Sequence, residues 1–251
     1  MTTHRFYIKG KPQESASIFL EGEEHHHLSK VARIKSGEHV WVFDDSGNQY
    51  KACVEEIGKS RTRLIILETE QKQRPKVRIT LAQVLLKTKN MDLVIQKATE
   101  LGTHSLVPVI SDRTIAKIEG KQDKKIERWK RIAIEASKQC GRSTVPEILL
   151  PVSLKTFIHK KENAKKLFLS ERGGESLREI LMYPLTEKIQ IPESIILLVG
   201  PEGGWTENEE QDIMDSNYDA VSLGSLTLRS ETAAIISLAM VSHFWKIENV
   251  S

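Results

Sequence analysis

Two cysteines in 251 residues, Cys53 and Cys140, leave no room for a disulfide framework or a four-cysteine zinc site, and both read as structural thiols. No stretch approaches the roughly 18 consecutive apolar residues that would span a bilayer. The opening Met-Thr-Thr-His-Arg-Phe also lacks the apolar region of a secretory leader, so the expectation is a cytoplasmic chain without membrane contact. Low-complexity tracts and internal repeats are missing as well. With 39% hydrophobic and 28% charged residues the chain has the make-up of a folded globular protein, and its length suits one large domain or two ordinary ones.

What is present is unevenly charged. The net charge is −1 over residues 1–71, +10 over 72–142 and −6 over 143–251. A basic middle between neutral and acidic flanks predicts a polyanion-binding face, with a solvated Lys-rich surface as the alternative.

The first 71 residues read as short strands at 17–20, 39–43, 49–54 and 61–67. The turn Asp44-Asp45-Ser46-Gly47-Asn48 joins two of them into a hairpin, and a small β-barrel closes such a set. The polar segment 68–75, ending in Pro75, reads as a linker. From Val77 the pattern becomes α/β, with strands at 79–86, 105–110, 166–169 and 195–199. Met91, Val94, Ile95, Ala98 and Leu101 share one helical face, with Gly102 as the stop. A last helix over 231–245 is apolar almost all round, so it must be covered on several sides. The predicted boundary falls between residues 71 and 72.

A helix starting near Lys124 places Ile126, Trp129, Ala133, Ala136 and Cys140 on one side. Lys124, Arg128, Arg131, Lys138 and Arg142 fall on the other, interrupted by Glu135. A cation row on a rigid element suits phosphate contact, and a solvated helix face is the alternative. The run His25-His26-His27 invites a metal reading. Adjacent side chains diverge on helix or strand, so no metal is expected there and RNA contact or barrel packing is the better expectation.

Two glycine-bearing segments follow apolar strands. In Leu198-Val199-Gly200-Pro201-Glu202-Gly203-Gly204-Trp205-Thr206-Glu207-Asn208-Glu209 the glycines permit close approach to a ligand. Thr206 and Glu209 form a capping box for the next helix. In Leu223-Gly224-Ser225-Leu226-Thr227-Leu228-Arg229-Ser230-Glu231-Thr232-Ala233 an apolar loop leads to Ser230 as expected N-cap, beside Arg229.

Gly200-Pro201-Glu202-Gly203-Gly204 and Leu228-Arg229-Ser230-Glu231-Thr232-Ala233 resemble the two cofactor-loop motifs of the RsmE branch of SPOUT methyltransferases. Three further segments agree in order: His26-His27-Leu28-x-x-Val31-x-Arg33, Gln96-Lys97-Ala98-Thr99-Glu100-Leu101-Gly102 and Glu135-Ala136-x-x-Gln139-x-Gly141-Arg142. Ala32 and Cys140 depart from the usual leucine and serine, both small packing changes. The likeness runs through nearly the whole chain. A Gly-x-Gly-x-Gly after a first strand is lacking, which points away from a Rossmann-type methyltransferase.

The resemblance implies a PUA-like RNA-binding β-barrel over residues 1–71 and a SPOUT α/β domain with a trefoil knot over 72–251. It also implies a homodimer acting on 16S ribosomal RNA, in the small ribosomal subunit, with no DNA partner. The implied reaction is methylation of uridine N3 by S-adenosylmethionine, by resemblance at the decoding-region uridine 1498. A SPOUT enzyme for another RNA, such as a transfer-RNA ribose 2′-O-methyltransferase, and a non-catalytic assembly factor are the alternatives. The expected cofactor site comprises Ser170, Val199, Gly200, Glu202, Gly203, Gly204, Leu223, Gly224, Ser225, Leu226, Leu228 and Arg229. Arg229 is the candidate stabiliser of a uracil anion and Glu202 the candidate base. Expected RNA contacts are Arg5, His26, Arg33, Lys124, Arg128, Arg131, Lys138 and Arg142.

Overall fold

The computed structural model describes residues 4–12, 16–71, 76–115 and 122–245. Contacts divide the chain into two units, one drawn from Met1–Arg74 with Ile134–Val145, the other from Pro75–Ala133 with Pro146–Ser251. The first unit is therefore not a single stretch of sequence, because a later segment packs with it.

In that unit β1 (Arg5–Tyr7), β2 (Ser17–Glu21), β3 (His39–Phe43), β4 (Asn48–Ile57) and β5 (Arg61–Gln71) form a curled sheet in the order β1-β3-β4-β5-β2. The alternating apolar positions Val40, Val42, Tyr50, Ala52, Val54 and Leu64 face inward with Phe6, Ile18, Leu20 and Leu28. Full burial of such a side chain contributes about 1.5–3 kcal/mol. The β3–β4 hairpin turns where Asp44 and Gly47 predict it. Asp44 Oδ1 accepts from the amides of Ser46 at 2.8 Å and Asn48 at 3.2 Å, and Gly47 takes φ +90°.

The polar segment after Leu67 is strand as far as Gln71 and not linker. Lys51 pairs with Glu68 at 3.0 Å, and Gln49 donates to Glu70 at 2.6 Å. Composition misleads here because both rows of side chains at this end of β5 are exposed. Residues 72–75, the rest of the predicted linker, lie outside the described residues.

Helix α1 (Gly22–His26) runs on into a wider π-type turn (His27–Val31). The three histidine rings diverge. His25 Nδ1 lies 2.8 Å from Thr62 Oγ1, His27 meets the Phe6 ring edge-on at 5.7 Å, and His26 is exposed.

The second unit is an α/β layer. Its elements are β6 (Arg78–Val84), α2 (Thr88–Glu100), β7 (Ser105–Ile110), α3 (Gln122–Cys140, passing into the first unit at Ile134), β8 (Glu147–Ile148), β9 (Val152–Ser153) and α4 (Leu154–Ile158). They continue with β10 (Lys165–Leu169), β11 (Glu175–Ser176), α5 (Leu177–Thr186), β12 (Ser194–Val199), α6 (Glu207–Asp215), β13 (Asp219–Ser222) and α7 (Ser230–Phe244). The strands are parallel, in the order β11-β13-β10-β12-β6-β7-β8, with β9 beside β7.

Central β12 is buried from Ile195 to Val199, which is why it reads as an unbroken apolar run. Helix α2 ends at Gly102, φ +85°, where the Thr103 amide reaches back to the Ala98 carbonyl at 3.0 Å. Neighbouring parallel strands β6, β12, β10 and β13 finish level with one another, Val199 opposite Gln83 and Leu169 opposite Val221. Their following loops must therefore meet at one edge of the sheet.

Candidate active site

That edge holds a cavity of about 350 Å³, lined by the loops after β10 (Leu169–Gly173), β12 (Val199–Glu202, Gly204 and Trp205) and β13 (Val221–Leu228), with Ser230 and Ala233 of α7. The size is that of a cofactor-sized ligand. Of the sequence-expected cofactor residues, Ser170, Val199, Gly200, Glu202, Gly204, Leu223, Gly224, Ser225, Leu226 and Leu228 line it.

Gly203 and Arg229 do not. Gly203 turns outward, its carbonyl accepting from Arg113 Nη1 at 2.7 Å. Arg229 faces a second cavity of about 360 Å³ with Lys87, Asn90, Glu202, Ser230 and Glu231, so Glu202 and Ser230 border both spaces.

Several groups shape these loops. Trp205 is buried and donates from Nε1 to the Leu169 carbonyl at 2.9 Å, joining the β12 loop to the β10 loop. A Cβ at Gly200 would come within 2.9 Å of the Trp205 ring, so only glycine lets this loop close over the tryptophan. The Thr206–Glu209 capping box forms, and the spare oxygen of Glu209 accepts the Asp112 amide at 2.8 Å.

Ser230 is a different case from its expected one. Arg229 occupies the N-cap position of α7 without a side-chain cap. The Ser230 hydroxyl donates to the Gly200 carbonyl at 2.5 Å and accepts from Gln83 Nε2 at 2.9 Å, so it is committed to tying β6, the β12 loop and α7 together.

The sequence reading missed Gln83, Glu171, Arg172, Trp205 and Glu210. Glu210 holds the β10 loop by accepting from Ser170 Oγ at 3.0 Å and Arg172 Nη1 at 2.8 Å. The ion pair, outweighing burial, raises the Arg172 pKa still further above its ordinary value. Position in the loops after β10 and β12 was the only signal for Glu171, Arg172 and Trp205, whereas Gln83 and Glu210 meet partners tens of residues away.

The candidate chemical residues differ in their surroundings. Glu202 accepts from Asn90 Nδ2 at 3.1 Å and lies 3.6 Å from Lys87 Nζ, so its charge is compensated. The Arg229 guanidinium makes no ion pair or hydrogen bond among the described residues, and no bridge to nearby Glu231 is formed.

Among the expected RNA contacts, His26, Arg33, Lys124, Arg128 and Arg131 are exposed, and Arg33 stands at φ +54°. Arg5 is turned inward. It lies over the Phe43 ring and donates to the Arg142 carbonyl at 2.9 Å, and burial lowers its pKa. Arg142 is half-buried and reaches Thr144 Oγ1 at 3.3 Å.

Lys138 corrects the predicted cation face. Its side chain is 6% exposed and pairs with Glu24 at 2.8 Å and Glu135 at 2.6 Å. Burial opposes its charge, yet hydrogen bonds to the two carboxylates outweigh that and raise its pKa. Arg128 is exposed but clamped two-pronged onto Asp92 at 2.6 and 3.2 Å. A helical wheel shows which side a residue takes and not which partner waits there.

Comparison with known proteins agrees over both units. The profile of an RNA methyltransferase domain matches residues 72–242, and that of an RNA methyltransferase PUA domain matches residues 20–67. Ribosomal RNA small subunit methyltransferase E of Aquifex aeolicus is 33% identical over 243 residues, 96% of this chain and 100% of that protein. The ribosomal RNA small subunit methyltransferase E of Neisseria gonorrhoeae, solved bound to S-adenosyl methionine, aligns with a TM-score of 0.85 at 32% identity over 97% of this chain and 98% of that one. A Legionella pneumophila protein solved with the bound cofactor SAM aligns with a TM-score of 0.88 at 31% identity, with the same coverage. The fold is accordingly the SPOUT α/β fold joined to a PUA-like unit. With both profiles matched in order and full-length relatives above 30% identity, the chain belongs to the RNA methyltransferases of the RsmE type.

Proposed function

We propose that this protein transfers the methyl group of S-adenosylmethionine to N3 of a uridine in 16S ribosomal RNA, the decoding-region uridine 1498, with the small ribosomal subunit as its partner and as a homodimer. One observation carries this reading: a glycine-walled cavity opens beside a second one lined by charged and polar side chains, with Glu202 and Ser230 on the shared border. A methyl donor and an acceptor base need two adjoining compartments of that kind.

The first cavity fits the cofactor. Val199, Leu223, Leu226 and Leu228 offer apolar walls, Gly200, Gly204 and Gly224 let backbone amides and carbonyls approach, and carboxylates at Glu171 and Glu202 complement a cation. S-adenosylmethionine, held there, supplies an activated methyl on a sulfonium. The chain's own groups do the rest. Glu202, fixed by Asn90 and Lys87, places negative charge at the junction, while Arg229 in the second cavity stabilises charge that develops on the uracil oxygens. Lys124, Arg131 and the exposed side chains His26 and Arg33 supply phosphate contacts.

The test is mass-spectrometric mapping of ribosomal RNA from cells with and without the protein. N3-methyluridine at one small-subunit position, lost on deletion and restored by adding purified protein and S-adenosylmethionine to the unmodified subunits, is expected. An unchanged modification pattern on deletion would sink the proposal.

A further inference from the structure

The second cavity contains a group that neither the cofactor nor the loop architecture uses. Glu231 is 8% exposed, lines the cavity, and its Oε2 is buried with no hydrogen-bond partner among the described residues. Such an orphan acceptor is costly to keep unless a ligand supplies the missing donor.

The cavity walls are the first turns of α2 and α7, neither capped by a side chain. Lys87 and Arg229 bring two positive charges and Glu202 and Glu231 two negative ones. That balance suits a neutral polar ligand better than a phosphate, which two carboxylates would repel. Glu202 already has its donors in Asn90 and Lys87, whereas Glu231 Oε2 has none among the described residues.

Uracil presents one N–H, at N3, between two carbonyl oxygens. A cavity that holds a carboxylate together with cationic donors is the complement of that edge. Cytosine presents an acceptor at N3 and is not matched.

We infer that Glu231, and not Glu202, receives the N3 proton of the target uracil. The inference rests on the uridine-N3 reading above. The N3–H bond breaks and its proton passes to the Glu231 carboxylate. The electron pair left on N3 forms the new bond to the donated methyl carbon, and the pair of the methyl–sulfur bond stays with sulfur. Arg229 and Lys87 face the oxygens that share the imide's negative charge, and Glu231 finishes as a neutral acid that releases its proton to water when the product leaves.

The experiment uses the full chain, S-adenosylmethionine and small subunits from cells lacking the protein. Wild-type protein must first yield N3-methyluridine; if it does not, the proposed function falls and the proton assignment falls with it for that separate reason. Given that product, Glu231→Gln should lower the single-turnover rate about 100-fold or more while calorimetry shows cofactor affinity within about twofold of wild type. Between pH 6 and 9 its residual rate should climb about tenfold per pH unit, because only uracil that has ionised by itself reacts, whereas the wild-type rate levels off. Glu231→Asp, which keeps a carboxylate on a shorter reach, should fall between the two and covers the case in which the amide variant does not fold. Either variant transferring methyl at the wild-type rate, or Glu231→Gln showing the wild-type pH profile at a lowered rate, overturns the assignment.

Discussion

At Asp44 a single carboxylate organises a whole hairpin, since it accepts from the Ser46, Asn48 and Tyr50 side chains as well as two amides while wholly buried. Burial by itself would raise its pKa, but these donors outweigh it and leave the group below the usual aspartate value; the same contact, after burial, pushes Tyr50 up to about 12. Asp44→Ala should cost about 2–4 kcal/mol in urea unfolding at neutral pH, because it strands several buried donors. With a lowered native pKa, the charged form's contribution is complete above about pH 4, the unfolded value, and is lost as pH falls through the lower native one. The gap between wild type and variant should accordingly narrow in acid, and a pH-independent gap would show that charge is not what matters. Arg229 is the opposite case, since its side chain lines a cavity and makes no ion pair or hydrogen bond among the described residues. Arg229→Ala should leave folding and RNA affinity nearly intact while lowering single-turnover transfer by about ten- to a thousandfold. A normal rate from a saturated complex would remove its electrostatic role.

Within one element, α3 joins residues of unlike duty along the same helical side. Lys138 is a buried partner of Glu24, so Lys138→Ala should destabilise the protein by about 3 kcal/mol, read as a lower denaturation midpoint. Lys124 and Arg131 are exposed. Replacing them by alanine should leave stability within about 0.5 kcal/mol and flatten the salt dependence of RNA binding by about one unit of slope per lost phosphate contact. Cofactor affinity should not change in either case. If Lys124→Ala and Arg131→Ala bind RNA with an unaltered salt slope, this face is merely solvated. The wheel grouped these cations by angle alone. It had no access to Glu24, which lies more than a hundred positions earlier and reaches Lys138 only through the fold.

For the whole molecule, the homodimer implied by the resemblance needs an apolar face, and α7 is the helix that reads as apolar almost all round. The structure covers Leu238, Val241 and Trp245 within the chain, Trp245 donating to the Leu181 carbonyl at 3.0 Å, and leaves Ile236 exposed with Ile235, Met240 and Phe244 half-buried. That remaining strip is the proposed dimer face, and Ile236→Asp should shift sedimentation from dimer to monomer at micromolar concentration; wild-type protein already monomeric there would refute it. No helix among the described residues is long and apolar enough to cross a membrane. Features carried by neighbours in sequence were legible in the order of amino acids: the Asp44–Asn48 turn, the Thr206–Glu209 capping box, the Gly102 stop, the buried run of β12 and both glycine loops. Each depends on propensity, periodicity or hydrogen bonds spanning a few residues, which the order of amino acids determines by itself. Tertiary structure alone decided that Arg229 faces the second cavity, that Ser230 ties Gly200 to Gln83, that Lys138 is buried and that Glu231 keeps an oxygen without a partner among the described residues. Those outcomes turn on which distant strand ends and helix starts are brought to one edge of a parallel sheet, and on whether a charge there meets its complement. Burial and pairing are properties of three-dimensional neighbours, and a linear pattern carries them only where the neighbours are adjacent in the chain.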